Sequence, residues 1–373
     1  MTIARIDAWV FRAPIDRPVR AAVGTLRDRP ALFIRLTDDD GATGWGEVFC
    51  NFPQVGAEHR ARLIDSVVGP LLVGRPAADP PLLHAGLAAT LRRLAIQCGE
   101  PGPFAQILGA IDQAAWDLLA RRRRLPLWRV LGGASASRSV RVYASGLGPQ
   151  GVAELAGAKR EQGFRAFKLK VGFDPGIDLA NARQLRGAIG DDALLMLDAN
   201  QAWDAAQAVD RLRELSAFAP VWAEEPVAAD EPLDAWTRVA REGGVPLAAG
   251  ENMLGEAAFA ASLANGHLRY IQPDVGKWGG LSGSLRIARL AAAHGATLCP
   301  HWLGGGIGLA ASMHLRAALG DGGFVEVDSN PNPLREGVFG PMPLREGRYE
   351  LSEAGGLGIE PDLAALSAFL VRH

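Results

Sequence analysis

Short apolar runs recur along the latter part of the chain and read as buried strands. They are VRVYASG (140–146), AFKLKVG (166–172), LLMLDAN (194–200) and VWAEEP (221–226), then PLAAGEN (246–252), YIQPDVG (270–276), ATLCPHW (296–302) and FVEVDSN (324–330). Amphipathic stretches such as GVAELAGAKREQG and AWDAAQAVDRLRELSAF separate them, with apolar positions at helical spacing. Strand and helix alternating eight times over roughly 200 residues predicts an α/β chain folded as a (β/α) barrel. After FVEVDSNPNPLREG the pattern turns irregular, so no clear eighth helix is expected and the barrel should close irregularly.

Residues 1–130 follow another pattern. Alternation in IARIDAWVFRAP and PALFIRLTDDDGATGWGEV predicts a small antiparallel sheet with a hairpin turning at Asp40–Gly41. Helices are expected near 57–73, 79–95 and 103–124. The division is an α+β domain over 1–130, a barrel over 131–340, and a C-terminal segment, 341–373, whose RYELSEAGGLGIEPD has strand character and returns to the first domain. The run Arg121–Arg124 ends the long third helix, where cations suit the C-terminal dipole better than a binding patch.

Composition narrows the class. The chain has 373 residues, 48% hydrophobic and 21% charged, with a formal charge of −2. That balance offers nothing to nucleic acid or an anionic membrane surface. Cys50, Cys98 and Cys299 are scattered without metal spacing, which fits a reducing compartment. With no apolar leader in MTIARIDAWVFRAPID and no long apolar run, a cytoplasmic location is expected.

Candidate chemistry lies at the C-terminal ends of the predicted strands, where barrel side chains enter the mouth. Reading along the chain, these are Lys168 and Lys170, Asp198 and Asn200, Glu224 and Glu225, Glu251, Asp274, His301 and Glu326. Asp198, Glu224 and Glu251 sit on consecutive strands, and converging carboxylates call for a divalent ion; all-oxygen ligation favours Mg²⁺, then Mn²⁺. The competing expectation is that these acids pair with the lysines and plug the barrel. Lys170 is the candidate base, its pKa expected to fall beside Lys168, which serves as tuner and carboxylate ligand. Asn200 adds a hydrogen bond to the ligand. Across the barrel Asp274 orients His301. Glu326, if protonated, would donate to a developing enolate oxygen, a use illustrated by ketosteroid isomerase. Lys277 and Glu225 are expected to support this set from behind. The glycines of HWLGGGIG fit a tight strand-to-helix turn better than a phosphate loop.

KLK, DAN, EEP, GEN, QPDVGKWGG and PHW, in this order and spacing, resemble the enolase superfamily, specifically its mandelate racemase subgroup. The resemblance covers nearly the whole chain; GWGE (44–47) and AWDLLARRRRLPLWRVLGG (115–133) look like that family's capping domain and barrel entry. It implies Mg²⁺ on Asp198, Glu224 and Glu251, opposed acid/bases in Lys170 and the His301–Asp274 dyad, and Glu326 against an enediolate. Asp274, where a lysine would mark the muconate-cycloisomerase and dipeptide-epimerase branch, argues against that branch. The missing eighth helix matches the modified, (β/α)7β-type barrel that the resemblance implies. Cap loops near 15–30 and 48–60 would close over a small carboxylate substrate. The expected activity is Mg²⁺-dependent abstraction of the proton alpha to a carboxylate, dehydrating an acid sugar or related hydroxy acid to a 2-keto acid. A racemase or epimerase of a 2-hydroxy acid such as mandelate is the alternative, and a non-catalytic sugar-acid-binding barrel the third. A homo-oligomer is expected.

Overall fold

The computed structural model describes residues 1–21 and 24–372. Two sheets organise it. In the first, β1 (Ile3–Ala21), β2 (Gly24–Asp38) and β3 (Thr43–Val48) form an antiparallel meander, and β1 pairs on its other side with a C-terminal strand, Leu370–Val371. Helices Gly56–Leu63, Pro80–Gln97 and Pro101–Arg122 cover one face, burying Leu32, Ile34, Ile64, Leu87 and Ile111 in a core of their own.

The second sheet is the barrel. Its parallel strands are β4 (Ser139–Leu147), β5 (Ala166–Lys170), β6 (Leu194–Asp198), β7 (Ala223–Glu224), β8 (Leu247–Ala249), β9 (Leu268–Ile271), β10 (Thr297–Leu298) and β11 (Val325–Asp328). Each bonds to its neighbour in sequence order from β4 to β10, and β11 returns to pair with β4. Among the described residues no ladder joins β10 to β11. The eighth helical place, where the sequence predicts nothing regular, holds a short helix, Pro333–Phe339, started by the Asn332 side chain accepting from Leu334 N–H. Its brevity is what the turn-rich sequence registers. In the C-terminal segment β12 (Arg348–Glu350) pairs with β4 at the bottom of the barrel, while β13 (Leu370–Val371) pairs with β1 and Glu360 accepts from the Trp45 indole on β3.

Alternation along the strands sorts side chains into two layers. Phe167, Leu169, Leu195 and Leu197 point outward beneath the helices. Tyr143, Ala166, Met196, Trp222, Ala248 and Cys299 point inward and close the lower barrel, with Trp222 edge-on to Tyr143 at 5.4 Å between centroids. Lys168 and Lys170 share that inward parity. Their strand face is the barrel interior, not a wet surface.

The two domains are bolted together. Glu47, at the end of GWGE, accepts hydrogen bonds from Gly305 N–H (2.5 Å) and Gly308 N–H (2.9 Å), at the start of helix Gly306–Ala318. The glycines of HWLGGGIG thus make a strand-to-helix turn whose anion position belongs to a protein carboxylate. A side chain at Gly305 would strike Glu47, and one at Gly308 would strike Trp302. Gln113 donates to Val275 O (2.9 Å), and buried Arg29 pairs with buried Asp328 at 2.7 Å. In the basic run, Arg121 pairs with Asp117 and Glu360, and Arg122 with Asp38 and Asp40; these two arginines are structural.

His314, buried on helix Gly306–Ala318, accepts from Trp128 N–H through Nδ1 and faces Leu357 O through Nε2. Burial pushes its pKa down to about 4, so the native ring is neutral. An unfolded histidine titrates near 6.5. Between those values the unfolded chain binds the extra proton, and stability falls as pH drops through the window, by about 3 kcal/mol at most. In urea titrations across pH 4–7, His314→Asn is expected to lose that share of the slope; an unchanged slope would remove His314 as a cause.

Candidate active site

Register sets the heights. Lys170 pairs with Asp198, Asp198 with Glu224, and Glu224 with Ala248, so the first three charges share one rung. Asp274 and His301 form a bridge of their own across the strand ends. Glu251 follows β8 by two residues, and Glu326 lies on β11 opposite Tyr143. Lys170 and His301 stand on opposite walls, separated by β6–β9 on one side and by β4 and β11 on the other.

Lys168 is fully buried and contacts both Glu224 oxygens at 2.8 Å, Glu326 Oε1 at 2.8 Å and Asp198 Oδ2 at 3.3 Å. Burial works to strip its proton, but Glu224 and Glu326 outweigh burial and hold the ammonium well above the ordinary lysine range. Lys170 Nζ lies 2.5 Å from Asp198 Oδ2 and 2.7 Å from Asn200 Oδ1. Here the expectation of a lowered pKa is not met. Burial and Lys168 do pull it down, yet the Asp198, Glu224 and Glu326 carboxylates together prevail and the net direction is up.

His301 Nδ1 is 2.6 Å from Asp274 Oδ2, while Nε2 lies 2.5 Å from Glu251 Oε2 and 3.6 Å from Glu326 Oε2. Asp274 is fixed in turn through Oδ1 by Gly276 and Lys277 N–H. Burial lowers the imidazole pKa, but Glu251 and Glu326 raise it further, so the ring is cationic in this arrangement. Glu326 accepts from Ser145 Oγ (2.5 Å) and Trp302 N–H (3.2 Å). Its pKa is lowered: burial opposes ionisation, and Lys168 and His301 overcome it. It stands as a carboxylate in this arrangement, so the condition attached to its use as a hydrogen-bond donor, that it be protonated, is not met here.

Lys277 reaches Glu251 Oε1 (3.3 Å) and Asn252 Oδ1 (3.2 Å), with its ammonium 4.5 Å over the ring of Phe49 from the first domain. Glu225 is turned aside on a left-handed backbone (φ 40°) and accepts from Asn252 Nδ2, its other oxygen unpartnered. Sequence reasoning assigned no role to Ser145, Asn252 or Gln272, which donates to Glu224 Oε2 at 2.6 Å. The inward parity of Ser145 on β4 is a signal that would have found it.

As the side chains stand, the acids pair with lysines and histidine, as the competing expectation held. Asp198, Glu224 and Glu251 are not drawn into one tight cluster; among the described residues such a grouping occurs at the surface acids Asp38, Asp39 and Asp40. The charge count nevertheless fits a divalent ion. Six buried carboxyls (Asp198, Glu224, Glu225, Glu251, Asp274, Glu326) face Lys168, Lys170, Lys277 and His301. Burial, then Asp198, pushes Glu224 up to about 7; burial, then Glu251, pushes Glu225 up to about 8. Two acids that resist ionising are what a surplus of two negative charges produces, and an all-oxygen set suits a hard cation.

A capped α/β barrel whose mouth sets an amine and an imidazole on opposite walls above buried acids defines an enzyme. Residues 151–365 match the enolase C-terminal domain-like family, and residues 5–132 the mandelate racemase/muconate lactonizing enzyme N-terminal domain. The chain belongs to the enolase superfamily, in its mandelate racemase subgroup. It is 31% identical to the D-galactarolactone cycloisomerase of Agrobacterium fabrum, over 99% of each chain. It is 34% identical to the D-galactonate dehydratase of Ralstonia nicotianae, over 76% of this chain and 74% of that one. Among solved structures, a mandelate racemase/muconate lactonizing enzyme from Bordetella bronchiseptica superposes with a TM-score of 0.92 at 48% identity, covering 99% of both chains. A racemase from Streptomyces coelicolor with bound magnesium gives 0.89 at 28%, covering 99% and 100%. No helix among the described residues is long and apolar enough to cross a membrane.

Proposed function

We propose that this chain dehydrates an acid sugar or related hydroxy acid to a 2-keto acid, with Mg²⁺ held by Asp198, Glu224 and Glu251. The observation that carries the reading is the opposition of Lys170 and the His301–Asp274 dyad across one mouth, both reaching its open end at 12% and 7% side-chain exposure. Mg²⁺, or Mn²⁺ in its place, would neutralise the substrate carboxylate and acidify the neighbouring C–H. Lys170, in its neutral amine form, takes the α-proton on Nζ, and the C–H electron pair is left on the carboxylate carbon framework as an enediolate. That pair then forms the C–C double bond as the β-oxygen departs, protonated by His301, as water. The enol released tautomerises to the 2-keto acid. Asp274 holds the imidazole so that Nε2 faces the reacting carbon. Lys168 and Asn200 orient the carboxylate, and Glu326 accepts hydrogen bonds at the same end.

The dehydratase relatives support this leaving group. The cycloisomerase, similar over almost the whole chain, favours a second reading in which the expelled oxygen belongs to a ring. Incubation with Mg²⁺ and a panel of aldonic and aldaric acids and their lactones, in D₂O, separates the possibilities. Keto acid from an open-chain acid, lost on chelation and restored by Mg²⁺, is the expected result; keto acid from lactones alone selects the ring reading. Solvent deuterium at the α-carbon without keto acid selects a racemase. Saturable binding with neither selects a non-catalytic barrel and overturns the proposal.

A further inference from the structure

A pocket of about 330 Å³ lies between helices Pro80–Gln97 and Pro101–Arg122 and the Trp278–Gly279 turn of the barrel. Its walls are apolar, with Leu91, Phe104 and Leu108 among them. Three polar side chains also line it: His84, Arg92 and Trp278. None of the three makes a hydrogen bond or ion pair among the described residues. The Trp278 ring lies 5.5 Å from that of Phe259. No acidic residue lines the pocket. The volume falls in the range of small-molecule sites, which pair an apolar wall with a few convergent polar groups. Burial pushes the His84 pKa down to about 4, so its imidazole is neutral and Arg92 supplies the charge.

We infer that this pocket binds a small organic anion with an apolar, ring-bearing body. The ring packs on Leu91, Phe104 and Leu108, the anionic group meets Arg92 at the rim, and His84 and Trp278 offer N–H groups to polar atoms elsewhere on the body. The wall adjoins the active site through the backbone. Trp278 N–H donates to Asp274 O (3.2 Å), and Lys277, one residue earlier, reaches Glu251. An occupant pressing on Trp278 therefore bears on the turn that holds the dyad.

The test uses the full-length protein and 1-anilinonaphthalene-8-sulfonate, a fluorescent anion of this class. Saturable binding at one site per chain is expected, with Kd of about 10–100 µM. Arg92→Ala, at an exposed position that leaves packing intact, is expected to weaken it about fivefold, and to leave binding of uncharged N-phenyl-1-naphthylamine unchanged. Ala88→Trp, which fills the pocket, is expected to abolish binding of both dyes. Ala105→Trp provides the same test from the opposite helix should the first variant misfold. Absence of saturable binding, or binding unaltered in both filled variants, overturns the inference. So does sedimentation showing that either filled variant breaks an oligomer, because the occupant is then a second copy of the chain.

Discussion

Lys170→Ala and His301→Asn are each expected to lower turnover by about 10²–10⁴-fold while far-UV and near-UV circular dichroism stay as in the wild type. Both residues line the mouth, so their loss leaves the packed layers intact. The two failures should differ in kind. If Lys170 is the base, Lys170→Ala loses both keto-acid formation and exchange of the α-proton with solvent. His301→Asn retains exchange and loses elimination, because the leaving oxygen no longer receives a proton. Wild-type turnover in either variant would dismantle the two-wall assignment. The ion pair seen here bears on the base. Asp198, the carboxylate that keeps Lys170 charged, is also a proposed metal ligand, so ion binding would divert it.

The second large effect is on stability. Lys168→Met removes the ammonium that contacts Asp198, Glu224 and Glu326 in a fully buried position. Removing one partner of a buried ion pair typically costs about 3–5 kcal/mol, because the remaining charges keep their desolvation penalty. Urea denaturation with chelator present should show that loss as a lower midpoint. Saturating Mg²⁺ is expected to restore part of it, since a cation on Asp198 and Glu224 replaces the missing charge. A chelator-treated variant as stable as the wild type would mean that these acids are protonated in the native state and carry no such strain.

Much of this was legible in the chain. Strand parity put Lys168 and Lys170 on one face, and the beat of strand and helix made that face a barrel interior. The ends of successive strands supplied Asp198, Glu224, Glu251, Asp274, His301 and Glu326, and the structure brings all six to one mouth. Protonation states were not legible. A lowered Lys170 pKa followed from local arguments and the charge of Glu326 was left conditional, whereas the outcome depends on how several neighbouring charges sum against burial. Asp198 at 2.5 Å, with Glu224 and Glu326 behind it, outweighs burial at the first, and Lys168 at 2.8 Å with His301 outweighs it at the second. Nor was the partnership of Glu47 with Gly305 and Gly308, about 260 residues apart in sequence: the motifs GWGE and HWLGGGIG each look complete alone, and only topology joins them.

That join limits how the protein can breathe. A carboxylate from one domain finishes a helix of the other, flanked by Gln113 on Val275 and Arg29 on Asp328, and so a hinge between the two halves would have to sever all three at once. Burial pushes the Glu47 pKa up to about 8 and Gln113 on Val275 is a neutral bond, so of the three only Arg29 on Asp328 is a standing ion pair. Neutral bonds contribute about 0.5–1.5 kcal/mol each and a charged one about 1.5–3 kcal/mol, and their simultaneous loss opposes a wholesale swing. The same seam runs on past Glu47, where Phe49 N–H donates to Gly276 O at 3.3 Å and the Asn51 side chain donates to Leu303 O at 2.5 Å, so the roof over Lys277 is stitched to the barrel along its backbone.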